Sequence, residues 1–197
     1  MGLFAIIFFA LAVLVFLWAM STYNRLVVLK NEIANAYGQI DVQLKRRYDL
    51  IPNLVETAKK YLSHERETLE AVISARAQAR SASDRLSQAP ASAAAISGLQ
   101  NAERTLSGSL GHLFALSERY PELKADRTMH ELSEELTSTE NRVGFSRQAY
   151  NDSILAYNDA AKQFPALLIA KLFGFGGLPT LKVIDAEIER LAPKVIF

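Results

Sequence analysis

The chain has 197 residues, of which 22 are basic and 21 acidic, giving a net charge of +1 with neutral histidines. This length suits one domain with appendages, and the balanced charge gives no reason to expect a nucleic-acid partner. The complete absence of cysteine excludes disulfides, thiolate metal sites and a cysteine nucleophile.

The first element is an apolar run from Leu3 to Met20, eighteen residues without a charge or a strongly polar group. A helix needs about 20 such residues to cross the hydrocarbon core of a bilayer. Trp18 and Tyr23 lie near its end, where aromatic side chains favour the membrane interface. A cleaved signal peptide is the competing interpretation, but the run lacks the basic start and the small-residue cleavage site of that class. Residues 1–22 are therefore predicted to form a transmembrane anchor, with the lipid bilayer as partner.

The basic residues nearest to this anchor all follow it. No lysine or arginine precedes the run, whereas Arg25 and Lys30 come shortly after it. Because basic residues flanking a membrane span tend to stay in the cytoplasm, the large C-terminal part is predicted to lie on the cytoplasmic side.

A long helical pattern runs from Tyr23 to Arg80, with apolar residues at steps of three and four. Pro52 lies inside it and predicts a kink or a division near Ile51, because proline removes a backbone hydrogen bond. The alternative is that Pro52 belongs to the first turn of a new helix. Residues 23–52 are thus predicted to be a membrane-proximal helical stalk.

The stalk carries an apolar stripe that no other predicted helix is long enough to cover. An exposed stripe of this length favours a partner, so we predict that it mediates assembly of a homo-oligomer. The stripe consists of Leu26, Leu29, Ile33, Tyr37, Ile40 and Leu44.

Residues 53–165 are predicted to form an antiparallel bundle of three or four helices, so that the fold class is all-α. Clusters of small polar residues and prolines mark the connections between the periodic segments. The predicted elements are a turn at 81–90, a helix over 91–119, a connection at 120–127 and a helix over 128–164.

The last of these helices combines an apolar stripe with polar side chains beside it. Val143, Tyr150, Tyr157 and Phe164 are seven residues apart and are predicted to face the core together. The polar side chains predict either a hydrogen-bonded network between helices or, if a pocket opens beside them, a ligand-binding or enzymatic site. They are Glu140, Asn141, Arg142, Arg147, Asn151 and Asn158.

Residues 166–197 form the last predicted unit. The segment 166–177 is a short apolar helix with one charge, ended by glycines. It either covers the open end of the bundle or dips into the lipid interface. The segment 180–191 predicts a three-turn amphipathic helix, which is marginal alone and must dock on the bundle or on a neighbour.

The chain contains no motif for a cofactor or for catalysis. No histidine follows a glutamate by three residues, which excludes the di-iron bundle motif, and no zinc-protease, hydrolase or phosphate-binding motif occurs. His130 and Glu134 form an ordinary surface pair, with a metal site as the weaker alternative. The basic run 45–47 is flanked by Asp41 and Asp49 and predicts a solvated face, with contact to anionic lipid as the alternative. No cofactor is expected.

A family resemblance is carried by several ordered blocks, at 23–27, 30–32, 36–57, 120–125, 134–142, 147–151, 157–158 and 164–165. These blocks resemble the LemA family of bacterial membrane proteins, over roughly residues 20–175. The resemblance implies a single-pass protein of the inner membrane, an antiparallel four-helix-type bundle and no established enzymatic activity. Magnetosome-associated members imply a role in organising membranes. The chain departs from the family by adding residues 178–197.

Three hypotheses for the function remain open. The first is a non-enzymatic, membrane-anchored scaffold or interaction module that self-associates and accepts a further, unidentified protein partner. The second is an enzyme or ligand-binding protein that uses the polar residues of the last long helix. The third is a membrane-shaping protein that acts through the apolar segment 166–175.

Overall fold

The structure is a computed structural model that describes residues 2–181. These residues form six helices and no strand, which confirms the all-α prediction. Most of the helix predicted over 180–191 lies outside the described residues. The helices are α1 (Gly2–Lys59), α2 (Arg66–Gln88), α3 (Ala93–Ser117), α4 (Pro121–Lys124), α5 (Arg127–Lys162) and α6 (Ala166–Leu172).

Helix α1 runs for 58 residues without interruption and carries Pro52 inside it. At about 1.5 Å per residue its length is about 87 Å. The helix does not divide at Pro52 and no new helix starts there, so these two predictions are wrong, whereas the predicted kink stays a prediction. Pro52 is exposed, whereas Ile51, Leu54 and Val55 are buried in the core. Packing of the flanking turns therefore offsets the roughly 3 kcal/mol that an interior proline costs a helix.

The chain reverses at residues 60–65, where the sequence pattern predicted an uninterrupted helix up to Arg80. Leu62 is buried and closes this end of the core. The Tyr61 hydroxyl donates to Asp126 Oδ2 at 2.9 Å, and Tyr120 donates to Glu65 Oε1 at 3.3 Å. These hydrogen bonds link the α1–α2 connection to the segment that leads into α5.

The turn predicted at 81–90 is also wrong, because α2 continues through most of it to Gln88. Ala82, Ser83 and Leu86 are buried there, so the core holds this segment as helix despite its small polar composition. The actual connection between α2 and α3 is the short segment 89–92. Ser92 caps α3 by accepting a hydrogen bond from the Ala95 amide at 3.3 Å.

Helices α1, α2, α3 and α5 form the bundle. Tyr37 packs edge-on against Tyr150 with ring centroids 5.8 Å apart, and Arg46 binds Glu135 farther along α1, so α1 and α5 are antiparallel. The Tyr37 hydroxyl also lies 3.0 Å from the Ser83 carbonyl oxygen of α2. Residues of α1 from Ile33 to Ala58 therefore share one hydrophobic core with the other three helices.

The apolar stripe of the stalk is buried inside the monomer. Every stripe residue except the half-buried Leu29 is at most 2% exposed. The expectation that no helix covers the stripe is wrong, since α5 accompanies α1 over most of the stretch and α6 extends the cover at Leu26. The stripe is thus not a surface on which a second copy could dock.

Candidate functional site

A cluster of charged side chains lies inside the bundle, centred on Arg47. Its Nη1 atom is 2.6 Å from Glu103 Oε2 of α3 and 2.9 Å from Glu140 Oε2 of α5, and its Nη2 atom donates to Ser107 Oγ at 3.2 Å. Arg47 is buried, so these bonds replace the water that its guanidinium loses on folding. The cluster joins three helices through one cation.

The neighbouring Tyr48 completes the cluster by donating its hydroxyl to Glu103 Oε1. Burial raises the pKa of Tyr48, so the hydroxyl keeps its proton and remains a donor. Burial also raises the pKa of Glu103, while Arg47 and the Tyr48 hydrogen bond act against that rise. Each carboxylate oxygen of Glu103 therefore accepts a hydrogen bond, Oε1 from Tyr48 and Oε2 from Arg47.

The sequence pattern does not predict this buried cluster, since the assignment it favours for the basic run 45–47 is a solvated face. That assignment holds for Lys45 and Arg46, which are exposed and pair with Asp41 and Glu135, each at 2.6 Å. It is wrong for Arg47, which occupies a core position three residues after Leu44 on the apolar stripe. A charged residue at a position of an apolar stripe indicates a buried charge, and this feature could have revealed that Arg47 is buried. Glu103 has the same feature on α3.

The six predicted polar residues do not form one site. Glu140 belongs to the buried cluster, and Arg147 lines a small cavity beside it. Asn141 and Arg142 are exposed on α5, and Asn141 lines an open pocket together with Arg47 and Glu140. Asn151 and Asn158 bind a different part of the chain, the segment after α6.

One of the two cavities beside the cluster is too small for a metabolite. Its volume is about 30 Å³, which is room for about one or two water molecules. Its polar lining comes from Gln100, Glu103, Glu140 and Arg147, and its apolar lining includes Leu44 and Leu181. A second, more open pocket of about 260 Å³ lies against the same cluster and is lined by Arg47, Ser107, Glu140 and Asn141. The predicted alternative of a ligand site depends on this second pocket.

Asn151 and Asn158 each clamp the backbone of one residue in the extended segment after α6. The Asn158 side chain donates to the Leu178 carbonyl and accepts from the Leu178 amide, both at 2.8 Å. Asn151 does the same with Leu181, at 2.9 and 2.8 Å. Asn151 and Asn158 are separated by seven helical residues, a rise of about 10.5 Å. Leu178 and Leu181 are separated by three extended residues, about 10 Å, so both clamps can form at the same time.

The membrane-proximal end of the bundle is formed by α1, α5 and α6. Ala170 of α6 is buried against Leu26, Ala160 and Ala161, so α6 covers this end of the α1–α5 pair. Phe164 was predicted to continue the stripe of Tyr150 and Tyr157, but it is 81% exposed. Helix α5 ends at Lys162, so Phe164 no longer follows the helical spacing.

The N-terminal part of α1 satisfies the length and composition of a membrane span. Its most apolar 18-residue window has a mean hydropathy of 2.9, and none of that window is buried against the rest of the protein. Among residues 2–181 no three His, Asp or Glu side chains are grouped to hold a metal ion. His130 Nδ1 lies 3.6 Å from Glu134 Oε2 on the exposed surface of α5.

An all-α bundle continuous with a helix apolar enough to cross a bilayer defines a membrane-associated helical-bundle protein. The model of the LemA family matches residues 36–197, and the chain belongs to this family. Because the match extends to residue 197, the expectation that residues 178–197 are an addition to the family is wrong. It is similar to Protein LemA of Metamycoplasma hominis, with 25% identity over 189 residues, covering 95% of this chain and 81% of the relative.

A second relative is the Magnetosome protein MamQ of Magnetospirillum gryphiswaldense. The two sequences are 23% identical over 168 residues, which is 78% of this chain and 62% of MamQ. The chain therefore spans less than two thirds of the length of MamQ. Both relatives agree with a membrane-associated protein of the LemA type.

Proposed function

We propose that this chain is a non-enzymatic scaffold of the bacterial inner membrane, anchored by a single pass of α1. One observation supports this most directly: α1 is uninterrupted from its apolar N-terminal part into the bundle core at Ala58. Because the same helix lies in the bilayer and in the core, the bundle is held in a fixed relation to the membrane surface. A bundle held in this way can present its surface to partner proteins.

The interior of the bundle supports a structural role for its charges. Arg47 is buried and donates hydrogen bonds to Glu103 and Ser107, and Glu140 is a partly exposed ion-pair partner at 2.9 Å. A buried, mutually bonded set of charges fixes which helix faces meet. The alternative of an enzyme or ligand-binding protein would use the open pocket at Arg47, Ser107 and Glu140, where 38% of the Glu140 side chain is exposed.

We expect the anchored protein to self-associate through a surface other than the buried stripe. Size-exclusion chromatography with light scattering, in mild detergent, should give a protein mass of at least two copies of the 21.8 kDa chain. Repeating the measurement at several detergent-to-protein ratios controls for chains that share a micelle by chance. A monomer at every ratio, at concentrations above those in the membrane, would remove self-association from the proposal and leave the anchor intact.

The large domain is proposed to lie in the cytoplasm, supported by Arg25 and Lys30 directly after the apolar run. Since the chain has no cysteine, single-cysteine variants report one position each. Ser63→Cys in the exposed α1–α2 connection should react with an impermeant thiol reagent only after cells are permeabilised. Gly2→Cys, on the other side of the apolar run, is the matched control and should react in intact cells. The reverse pattern would place the domain outside the cytoplasm.

A further inference from the structure

A compact group of large apolar side chains is exposed around α6. Phe164 is 81% exposed and Leu172 is 75% exposed, and Leu168 and Phe173 are also open to solvent. The side chains at 164, 168 and 172 are four residues apart, so the two on α6 share one side of that helix. Clusters of exposed apolar side chains usually mark a contact with a partner or with a membrane.

The group lies next to the point where α1 leaves its apolar run. The Tyr23 ring packs edge-on against Phe173 at 4.9 Å between centroids, and against Phe175 at 5.5 Å. Tyr23 is three residues beyond Met20, which is about 4.5 Å along the helix. The headgroup layer on each side of a bilayer is about 5–8 Å thick. Phe173 is therefore at the depth of the headgroups when α1 spans the membrane.

The opposite face of α6 fixes its position on the bundle. Ala170 is 2% exposed and packs on Leu26, Ala160 and Ala161. The side of α6 that the fold requires is thus already buried, and the exposed side contributes no core contact. No contact within residues 2–181 accounts for this exposed side.

The surface around α6 is mainly basic. Lys30 lies over the Phe175 ring with its Nζ atom 5.7 Å from the centroid. Acidic side chains exposed on the same turns of α1 and α5 are Glu32 and Asp159. The exposed basic side chains are Arg25, Lys30, Lys162 and Lys171. A basic excess beside an apolar face favours an anionic lipid surface, with the neighbouring helices supplying the polar rim that the short α6 lacks.

We propose that the exposed face of α6, with Phe164 and Phe173, is inserted in the interfacial layer of an anionic phospholipid bilayer. The inference rests on the anchoring of α1 in the proposed function, but not on scaffolding or self-association. With α1 as one attachment and α6 as a second, the bundle cannot tilt freely at the end of the membrane helix. Apolar side chains run from Met20 of the membrane helix through Tyr23 to Phe173. This arrangement favours lipid as the partner of the exposed face.

The test uses the full chain with Leu172→Cys, labelled with a polarity-sensitive fluorophore and reconstituted into vesicles of phosphatidylethanolamine and phosphatidylglycerol. Leu172 is exposed, so the substitution does not disturb the core. Some of the lipids carry a nitroxide quencher, either near the headgroup or at the end of an acyl chain. Ser63→Cys, at the far end of the bundle, is the matched control. Flotation of the vesicles checks that the protein is anchored.

We expect blue-shifted emission from the probe at 172 and stronger loss of emission with the shallow quencher than with the deep one. The probe at 63 should show water-like emission and no quenching. Water-like, unquenched emission at 172 in floated vesicles would overturn the inference while leaving the anchor in place. Blue-shifted emission that no lipid quencher reduces would mean that protein covers the face, either a second copy or residues 182–197 of the same chain, and would also overturn it. Failure to float would instead contradict the proposed function.

Discussion

Replacing Arg47 with methionine should lower the free energy of unfolding by about 3–5 kcal/mol, because Glu103 then stays buried without its cation. Arg47 is the partner of Glu103 at 2.6 Å and of Glu140 at 2.9 Å. The loss can be measured by urea unfolding of the full chain in detergent, followed by far-ultraviolet circular dichroism. Fluorescence is unsuitable, since the single tryptophan is Trp18 in the apolar run.

The neighbouring arginine provides a matched control for this prediction. Arg46 pairs with Glu135 at 2.6 Å, but on the exposed surface, so Arg46→Met should cost at most about 1 kcal/mol. The triple variant Arg47→Met, Tyr48→Phe, Glu103→Met removes the main buried polar groups together and should recover most of the lost stability. An Arg47→Met protein as stable as the parent would show that the buried cluster is not energetically coupled.

Replacing Asn158 with alanine should release the extended segment from α5. Both hydrogen bonds between Asn158 and Leu178 are lost, and the part-buried backbone groups of Leu178 are left without these partners, at a cost of about 2 kcal/mol. Local opening should therefore become about 30-fold more frequent. Hydrogen–deuterium exchange of peptides covering residues 174–181 measures this directly, and peptides from α2 should be unchanged.

Asn141→Ala is the matched control for the clamp. Asn141 comes from the same predicted polar set but is exposed on α5. Its removal should leave exchange of residues 174–181 unaltered. Equal exchange rates in the Asn158→Ala protein and the parent would mean that Tyr157, which donates to Gly176 O at 3.0 Å, and the remaining clamp at Asn151 hold the segment without Asn158.

The helix predicted through residues 60–65 and the turn predicted at 81–90 are both wrong for the same physical reason. Residues 60–65 contain no proline or glycine, yet the chain turns there, because Leu62 closes the core at this level. Residues 81–88 have the composition of a turn, yet they are helical because Ala82 and Leu86 are buried. Local composition describes what a segment prefers alone, whereas burial against other helices sets where it ends.

The site was predictable in part. Glu140, Asn151 and Asn158 stand out in the sequence because they flank an apolar stripe at regular spacing, and in the structure they contact Arg47, Leu181 and Leu178. Their partners were not predictable. Arg47 and Glu103 are 56 positions apart in sequence, and Asn151 and Leu181 are 30 apart. Only the folded chain brings such pairs together.

By itself, the sequence determined the helical class, the apolar N-terminal run, the positions of the core stripes and the membership of the LemA family. These properties follow from periodicity and from local runs of residues, which depend on neighbours a few positions away. The tertiary structure decided that Pro52 lies inside a continuous helix, that the stripe of α1 is covered and that Arg47 is buried. Those outcomes depend on which faces of distant helices meet, because burial in a shared core outweighs local preference.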